Sequence, residues 1–121
     1  MAKILLAEDD LFLRDIYQEV LVAEGFDVTQ AIDGQQTLEK LKSGGWDLVL
    51  LDVIMPKMTG IDVLKNFTKA QAKSLAKHIV FMSNSDETKE LKDVLDMTDG
   101  FILKSSYAPD QLVGKIKQYL K

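Results

Sequence analysis

Glu8, Asp9 and Asp10 stand in a row directly after the apolar run Ile4–Ala7, and Asp52 closes a second such run, Leu48–Leu51. A hydroxyl, Ser83, and an ammonium, Lys104, close two further runs. Carboxylates brought together repel: two unit charges about 4 Å apart cost roughly 4 kcal/mol at an effective dielectric near 20. A cluster of them therefore holds either a raised pKa or a cation. Oxygen donors alone select a hard ion, Mg²⁺ before a transition metal. Acids, a hard cation, a hydroxyl and a lysine together suit a phosphoryl group. The cation and Lys104 would neutralise its oxygens, and Asp52 would be the attacking carboxylate. Each residue alone also has an ordinary explanation. An acidic triplet suits a helix N-terminus, and an Asp after a strand suits a turn. The weight lies in the conjunction.

These side chains meet only if the elements carrying them converge. Five strand-like runs are present: Lys3–Ala7, Asp27–Ala31, Leu48–Asp52, Ile79–Ser83 and Phe101–Lys104. The third has no polar alternation, the pattern of a strand buried on both faces. Helical periodicity fills the gaps. Leu13, Ile16, Tyr17, Val20 and Leu21 keep the spacing of one helix face. Leu38 with Leu41, Ile61 with Leu64, and Leu91 with Val94 and Leu95 predict three more helices, and Leu112, Val113, Ile116, Tyr119 and Leu120 predict the last. Gly25 is placed to end the first helix, Gly34 to sit in the turn after the second strand, and Pro109 to open the final helix. Strands alternating with helices imply a parallel sheet covered on both faces. With right-handed crossovers the doubly wound order 2-1-3-4-5 is the leading arrangement. It places strands one and three side by side, and with them Glu8, Asp9 and Asp52, where such sheets bind ligands.

The 121 residues predict a single α/β domain over 1–121, with hydrophobic content of 46% and charged content of 28%. A net charge of −4 argues against direct nucleic-acid binding or adhesion to an anionic membrane. The absence of cysteine excludes disulfides and thiolate metal sites. No leader pattern and no membrane span is visible, so a cytoplasmic location is expected.

Five motifs, ILLAEDD, AIDGQQTL, DLVLLDVIMPKMTGIDVL, IVFMSNS and DGFILK, in this order and spacing, resemble the receiver domains of two-component response regulators. The resemblance covers essentially the whole chain. It implies the flavodoxin-like fold with the order 2-1-3-4-5. It implies a phosphorylation switch, not an enzyme acting on other substrates. Asp52 would accept a phosphoryl group from the phosphohistidine of a histidine kinase or histidine phosphotransfer protein. Asp9 and Asp52 would ligate Mg²⁺ directly, Glu8 through water, and Ile54 by its backbone carbonyl. Asp10 would start the first helix and not be a ligand. Ser83 would bond one phosphoryl oxygen and Lys104 another, with Phe101 rotating inward as Ser83 moves. The helix between strands four and five, the fifth strand and the last helix would form the output surface toward a downstream effector or output domain. Homodimerisation on activation is compatible with that surface.

The chain departs from the family pattern in places. Ser105 follows Lys104 where proline is usual, so the loop is either trans and differently shaped or strained. Met97 and Thr98 replace a small pair before the fifth strand. Ile54 and Ser85 occupy the positions that tune phosphate loss, and apolar Ile54 predicts a slow-decaying phosphoryl state. Ile54 also argues against a haloacid-dehalogenase-type phosphohydrolase, which needs a second Asp there. The acidic first loop argues against a phosphate or flavin cradle. A receiver-like module that binds without phosphorylation is the remaining alternative. His78 is expected in a solvated loop, Trp46 in packing at the far end of the third strand, and Met55 and Met58 in loop packing. Lys65, Lys69, Lys73 and Lys77 are expected to form one solvated helix stripe.

Overall fold

The computed structural model describes residues 1–84 and 94–121. Its strands are β1 (Lys3–Ala7), β2 (Asp27–Ala31), β3 (Trp46–Asp52), β4 (Ala76–Ser83) and β5 (Gly100–Leu103). Its α-helices, among the described residues, are α1 (Leu11–Ala23), α2 (Gly34–Lys42), α3 (Gly60–Lys65), α4 (Lys69–Leu75) and α5 (Pro109–Tyr119). The strands are all parallel, in the predicted order β2-β1-β3-β4-β5.

Alternation along each strand divides the core in two. Leu5, Val49, Leu51, Ile79 and Phe81 face one side, against Leu38 and Leu41 of α2, Val63 and Leu64 of α3 and Ala72 of α4. Ile4, Leu6, Leu48, Leu50, Val80 and Met82 face the other, against Tyr17 and Leu21 of α1 and Leu112, Val113 and Ile116 of α5. Leu48, Val49, Leu50 and Leu51 are all fully buried. Each such side chain stabilises the fold by roughly 2 kcal/mol. This central strand thus gives the residue at its tip a support buried on both faces.

Caps set the helix limits. Asp10 accepts the Leu13 N–H at 3.0 Å and opens α1. Gly25, at φ +90°, ends it by donating to the Val22 carbonyl at 2.9 Å. Asp33 caps α2, and Thr59 with Asp62 forms a capping box at α3. Pro109 opens α5 as expected.

Several expectations are corrected. β4 begins at Ala76 and not at Ile79, because the ladder pairs Ala76 with Trp46, the first residue of β3. His78 therefore lies within β4, half-buried, and not in a loop. Gly34 is the first residue of α2 and not a turn residue. A Cβ there would come within 1.9 Å of the Met58 carbonyl oxygen, so the loop after β3 needs a glycine beneath it. The lysine stripe is broken: Asn66 ends α3, Thr68 with Gln71 forms a second capping box at α4, and Lys77 belongs to β4. That box marked α4 in the sequence and went unread. The helix expected around Leu91 falls on residues 85–93, outside those described, and Leu95–Met97 forms a 3₁₀ turn. Trp46 packs as expected and donates to the Lys40 carbonyl at 3.0 Å. Met55 is buried and Met58 packs against the same core.

Candidate functional site

Register brings the acids together. β1 pairs Ala7 with Leu51, so the next residues, Glu8 and Asp52, emerge side by side. Glu8, Asp9 and Asp52 each place a carboxylate oxygen so that all lie within 4.8 Å of one another. Glu8 is fully buried and Asp52 is 5% exposed, whereas Asp9 faces solvent. Asp10 caps α1 and lies at the cavity wall without joining the three clustered carboxylates. Glu8, Asp9, Asp52, Ile54, Ser83 and Lys104 all line one cavity of about 310 Å³.

Lys104 enters from the opposite side. It stands in a 3₁₀ turn, Lys104–Ser106, immediately after β5, and is not the strand's last residue. No cis peptide occurs among the described residues, so the Lys104–Ser105 bond is trans. Lys104 Nζ still reaches both acids, donating to Asp52 Oδ2 at 2.8 Å and Glu8 Oε1 at 2.5 Å. Serine in place of proline therefore does not shorten the reach of the lysine.

One ammonium faces two buried carboxyls, and that imbalance sets their protonation. Burial pushes the Asp52 carboxyl up, contact with Glu8 adds to the effect, and Lys104 opposes it without prevailing. The result is a pKa raised to about 8. Burial also pushes Glu8 up, but hydrogen bonding with Asp52 and Lys104 outweighs it, so Glu8 is held below its ordinary value. Burial alone would pull Lys104 down, yet Asp52 and Glu8 hold it above its usual value. The two acids thus share one proton as a pair. A divalent cation would replace that proton. The donors are oxygens, two of the three are buried, and the charge to be neutralised is in excess, so the set fits a hard ion such as Mg²⁺.

The loop after Asp52 is pinned at both ends. The Val53 N–H donates to the Met82 carbonyl at 3.1 Å, and the Gly60 N–H donates to the Val53 carbonyl at 2.9 Å. A Cβ on Gly60 would meet the Asp52 carbonyl oxygen at 2.4 Å, so glycine allows the loop to close over the strand tip. The Ile54 N–H donates to Asp52 Oδ1 at 3.3 Å, while its side chain is 70% exposed.

Ser83 ends β4, buried, beside the acids. Phe101 lies in β5 opposite Phe81, half-buried and packed against the core on the α2–α4 side. The cavity thus gathers Glu8, Asp9, Asp52, Ile54, Ser83 and Lys104, and Phe101 lies outside it. Arg14 was not anticipated. It sits on the buried face of α1 with Tyr17 and Leu21, and its Nη1 donates to the Glu8 carbonyl at 2.9 Å and the Asp9 carbonyl at 3.3 Å. The signal was a cation three residues before Tyr17 and seven before Leu21, on the apolar stripe.

Comparison with known proteins shows the family and the fold. The family model described as response regulator receiver domain matches residues 4–117. The transcriptional regulatory protein DltR of Streptococcus agalactiae is 33% identical over 116 residues, covering 95% of this chain and 50% of that protein. The chain spans about half the length of such curated relatives. The response regulator TrrA of Thermotoga maritima, solved in complex with Mg²⁺ and BeF, superposes with a TM-score of 0.83 at 29% identity, covering 99% of this chain and 100% of that one. TrrA in complex with the histidine kinase ThkA superposes with a TM-score of 0.80 at 28% identity, with 100% of each chain covered.

Proposed function

The chain belongs to the response regulator receiver domain family, and on that premise we propose that residues 1–121 form a receiver switched by phosphorylation of Asp52. The observation that carries this reading is the constellation at the sheet edge: three carboxylates within 4.8 Å of one another and one lysine bonded to two of them.

In the proposed reaction, an Asp52 carboxylate oxygen attacks phosphorus in a phosphohistidine presented by a histidine kinase or histidine phosphotransfer protein. The P–N bond breaks, the acyl phosphate forms, and the imidazole leaves with its electron pair and takes up a proton. Asp9 and Asp52, with Glu8 and the Ile54 carbonyl, would hold Mg²⁺, and the bound ion would supply neutralisation of the phosphoryl oxygens. Lys104 gives up its bond to Asp52 for one phosphoryl oxygen, and the Ser83 hydroxyl bonds another. Ser83 ends β4, and Phe101 lies in the neighbouring β5 opposite Phe81. Phe101 then turns inward, and the face formed by β5, α5 and the segment before β5 changes for a downstream effector or output domain. This is a local charge event biasing an element with two arrangements. The chain turns over no further substrate, binds no nucleic acid directly and acts in the cytoplasm. Among the described residues no helix is long and apolar enough to cross a membrane.

The exposed, apolar Ile54 offers no side-chain group to orient an attacking water, so the phosphoryl state decays slowly. A half-life of only seconds in Mg²⁺ buffer would refute that point. The central test is intact mass after incubation with acetyl phosphate and Mg²⁺. One added phosphoryl group in wild type and none in Asp52→Asn is the expected result. No addition in wild type, beside a labelled control receiver, would leave a module that binds without phosphorylation.

A further inference from the structure

Glu8, Asp52, Ser83 and Lys104 are buried polar side chains that line the cavity. Arg14 is as buried as Lys104, at 8% exposure, but does not line the cavity. Among the described residues no carboxylate lies within ion-pair distance of it, and its Nε has no hydrogen-bond partner. A buried cation without a counter-ion is destabilising. The apolar stripe of α1 would accept a methionine or leucine there without that cost. What the guanidinium does make are bonds from Nη1 to two consecutive carbonyls, those of Glu8 and Asp9. These residues carry two of the three clustered carboxylates.

We propose that Arg14 is a positioning residue for the cation-binding acids: by holding the carbonyls of Glu8 and Asp9 it fixes the directions in which their side chains leave the β1–α1 turn. The proposal rests on the receiver function above. Two other constraints make the clamp sufficient. The Glu8 N–H is tied to the Ala31 carbonyl at 3.1 Å, and the Asp10 side chain caps α1. With Arg14 on the intervening carbonyls, the turn has no free peptide unit to rotate. Opposite signs separate this role from a purely electrostatic one. Removing a nearby positive charge would by itself tighten a cation, whereas releasing the clamp loosens it. Partners that orient metal ligands are worth about 10- to 100-fold in affinity.

The test compares wild type, Arg14→Lys and Arg14→Met in three measurements: Mg²⁺ Kd by calorimetry, the thermal midpoint without metal, and the Mg²⁺ dependence of labelling by acetyl phosphate. Arg14→Met is expected to bind Mg²⁺ about 10-fold or more weakly, with a metal-free midpoint equal to or above wild type. Its labelling rate is expected to return to within about twofold of wild type at saturating Mg²⁺, as for a lost metal contact and not a lost catalytic group. Arg14→Lys, which keeps the charge and one point of contact, is expected in between. Should Arg14→Met fail to fold, Arg14→Lys carries the test alone, with a Kd weakened about threefold or more supporting the clamp. Variant Kd values equal to or tighter than wild type would overturn the inference and leave the receiver function standing. Failure of wild type to bind Mg²⁺ would overturn both.

Discussion

The two ends of the sheet carry the same kind of ion pair and use it for opposite purposes. At the N-terminal end Lys77 lies 3.2 Å from Asp47, with side chains 75% and 26% exposed. At the C-terminal end Lys104 lies 2.8 Å from Asp52, with side chains 5% and 7% exposed. Asp47 is well served: the Lys3 backbone N–H donates to it at 2.7 Å, and with Lys77 this holds its carboxyl below the usual range. Asp52 shares its lysine with Glu8 and is pushed up to about 8. Where charges balance, the pair ties strand ends together. Where one acid is in excess and both are buried, a carboxyl is driven to keep a proton.

The largest effect should fall on phosphoryl acceptance. Asp52→Asn is expected to abolish labelling by acetyl phosphate, whereas Asp47→Asn labels like wild type. Intact mass of the two variants side by side breaks the comparison if both label or both fail.

Removing the lysine at each end should separate them next. Lys104→Met leaves two buried carboxyls against one another and is expected to cost about 3 kcal/mol at pH 8. Lys77→Met, at the exposed pair, is expected to cost less than about 1 kcal/mol. Urea titrations of both at pH 8 decide. Equal losses would mean that burial does not distinguish the ends.

The pH dependence of stability follows from Asp52. Its carboxyl has an ordinary value of 3.8 and stands near 8 in the fold, so between these values the folded state holds a proton that the unfolded chain lacks. The stability this contributes is full below about pH 4 and is lost as pH rises through about 8. Glu8 is held below its ordinary 4.5 and therefore acts only on the acid side of that window. Without metal, the thermal midpoint should fall by about 5 °C or more between pH 5.5 and 8.5. Mg²⁺ at millimolar concentration should flatten that slope by taking the proton's place. Scanning calorimetry with and without Mg²⁺ checks it, and a flat profile in both would contradict the shared proton.

The smallest effect belongs to Asp47. Asp47→Asn keeps a carbonyl oxygen for the Lys3 N–H and loses only a screened charge, so a cost of about 0.5 kcal/mol is expected. Half-molar salt should erase that difference, which a denaturation series at two ionic strengths would show.

Much of this architecture was legible one stretch at a time. Leu48–Leu51 carries its strand in its own composition, and Asp10 and Pro109 announce helix starts by their chemistry. Parallel topology then required the strand tips to converge, and so placed Glu8 and Asp9 beside Asp52. Of the readings that failed, one depended on a neighbouring strand and one on a signal that is local. His78 looked like a loop residue until β3 supplied the ladder that extends β4 back to Ala76. The even spacing of Lys65, Lys69, Lys73 and Lys77 suggested one helix, but Asn66 ends α3 and the local Thr68–Gln71 box opens α4.

The sequence by itself determined which elements form and which chemical groups stand at their ends, because apolar periodicity and capping act over a few residues. Only the tertiary structure decided how those groups share charge. The pKa of Asp52 depends on Glu8 and on Lys104, 52 positions away, and the bond from Lys104 to Glu8 spans 96 positions. The glycine at position 34 serves Met58, and Arg14 serves carbonyls that lie a turn before it and off its own helix. Distance and burial set these energies, and neither is written in local sequence.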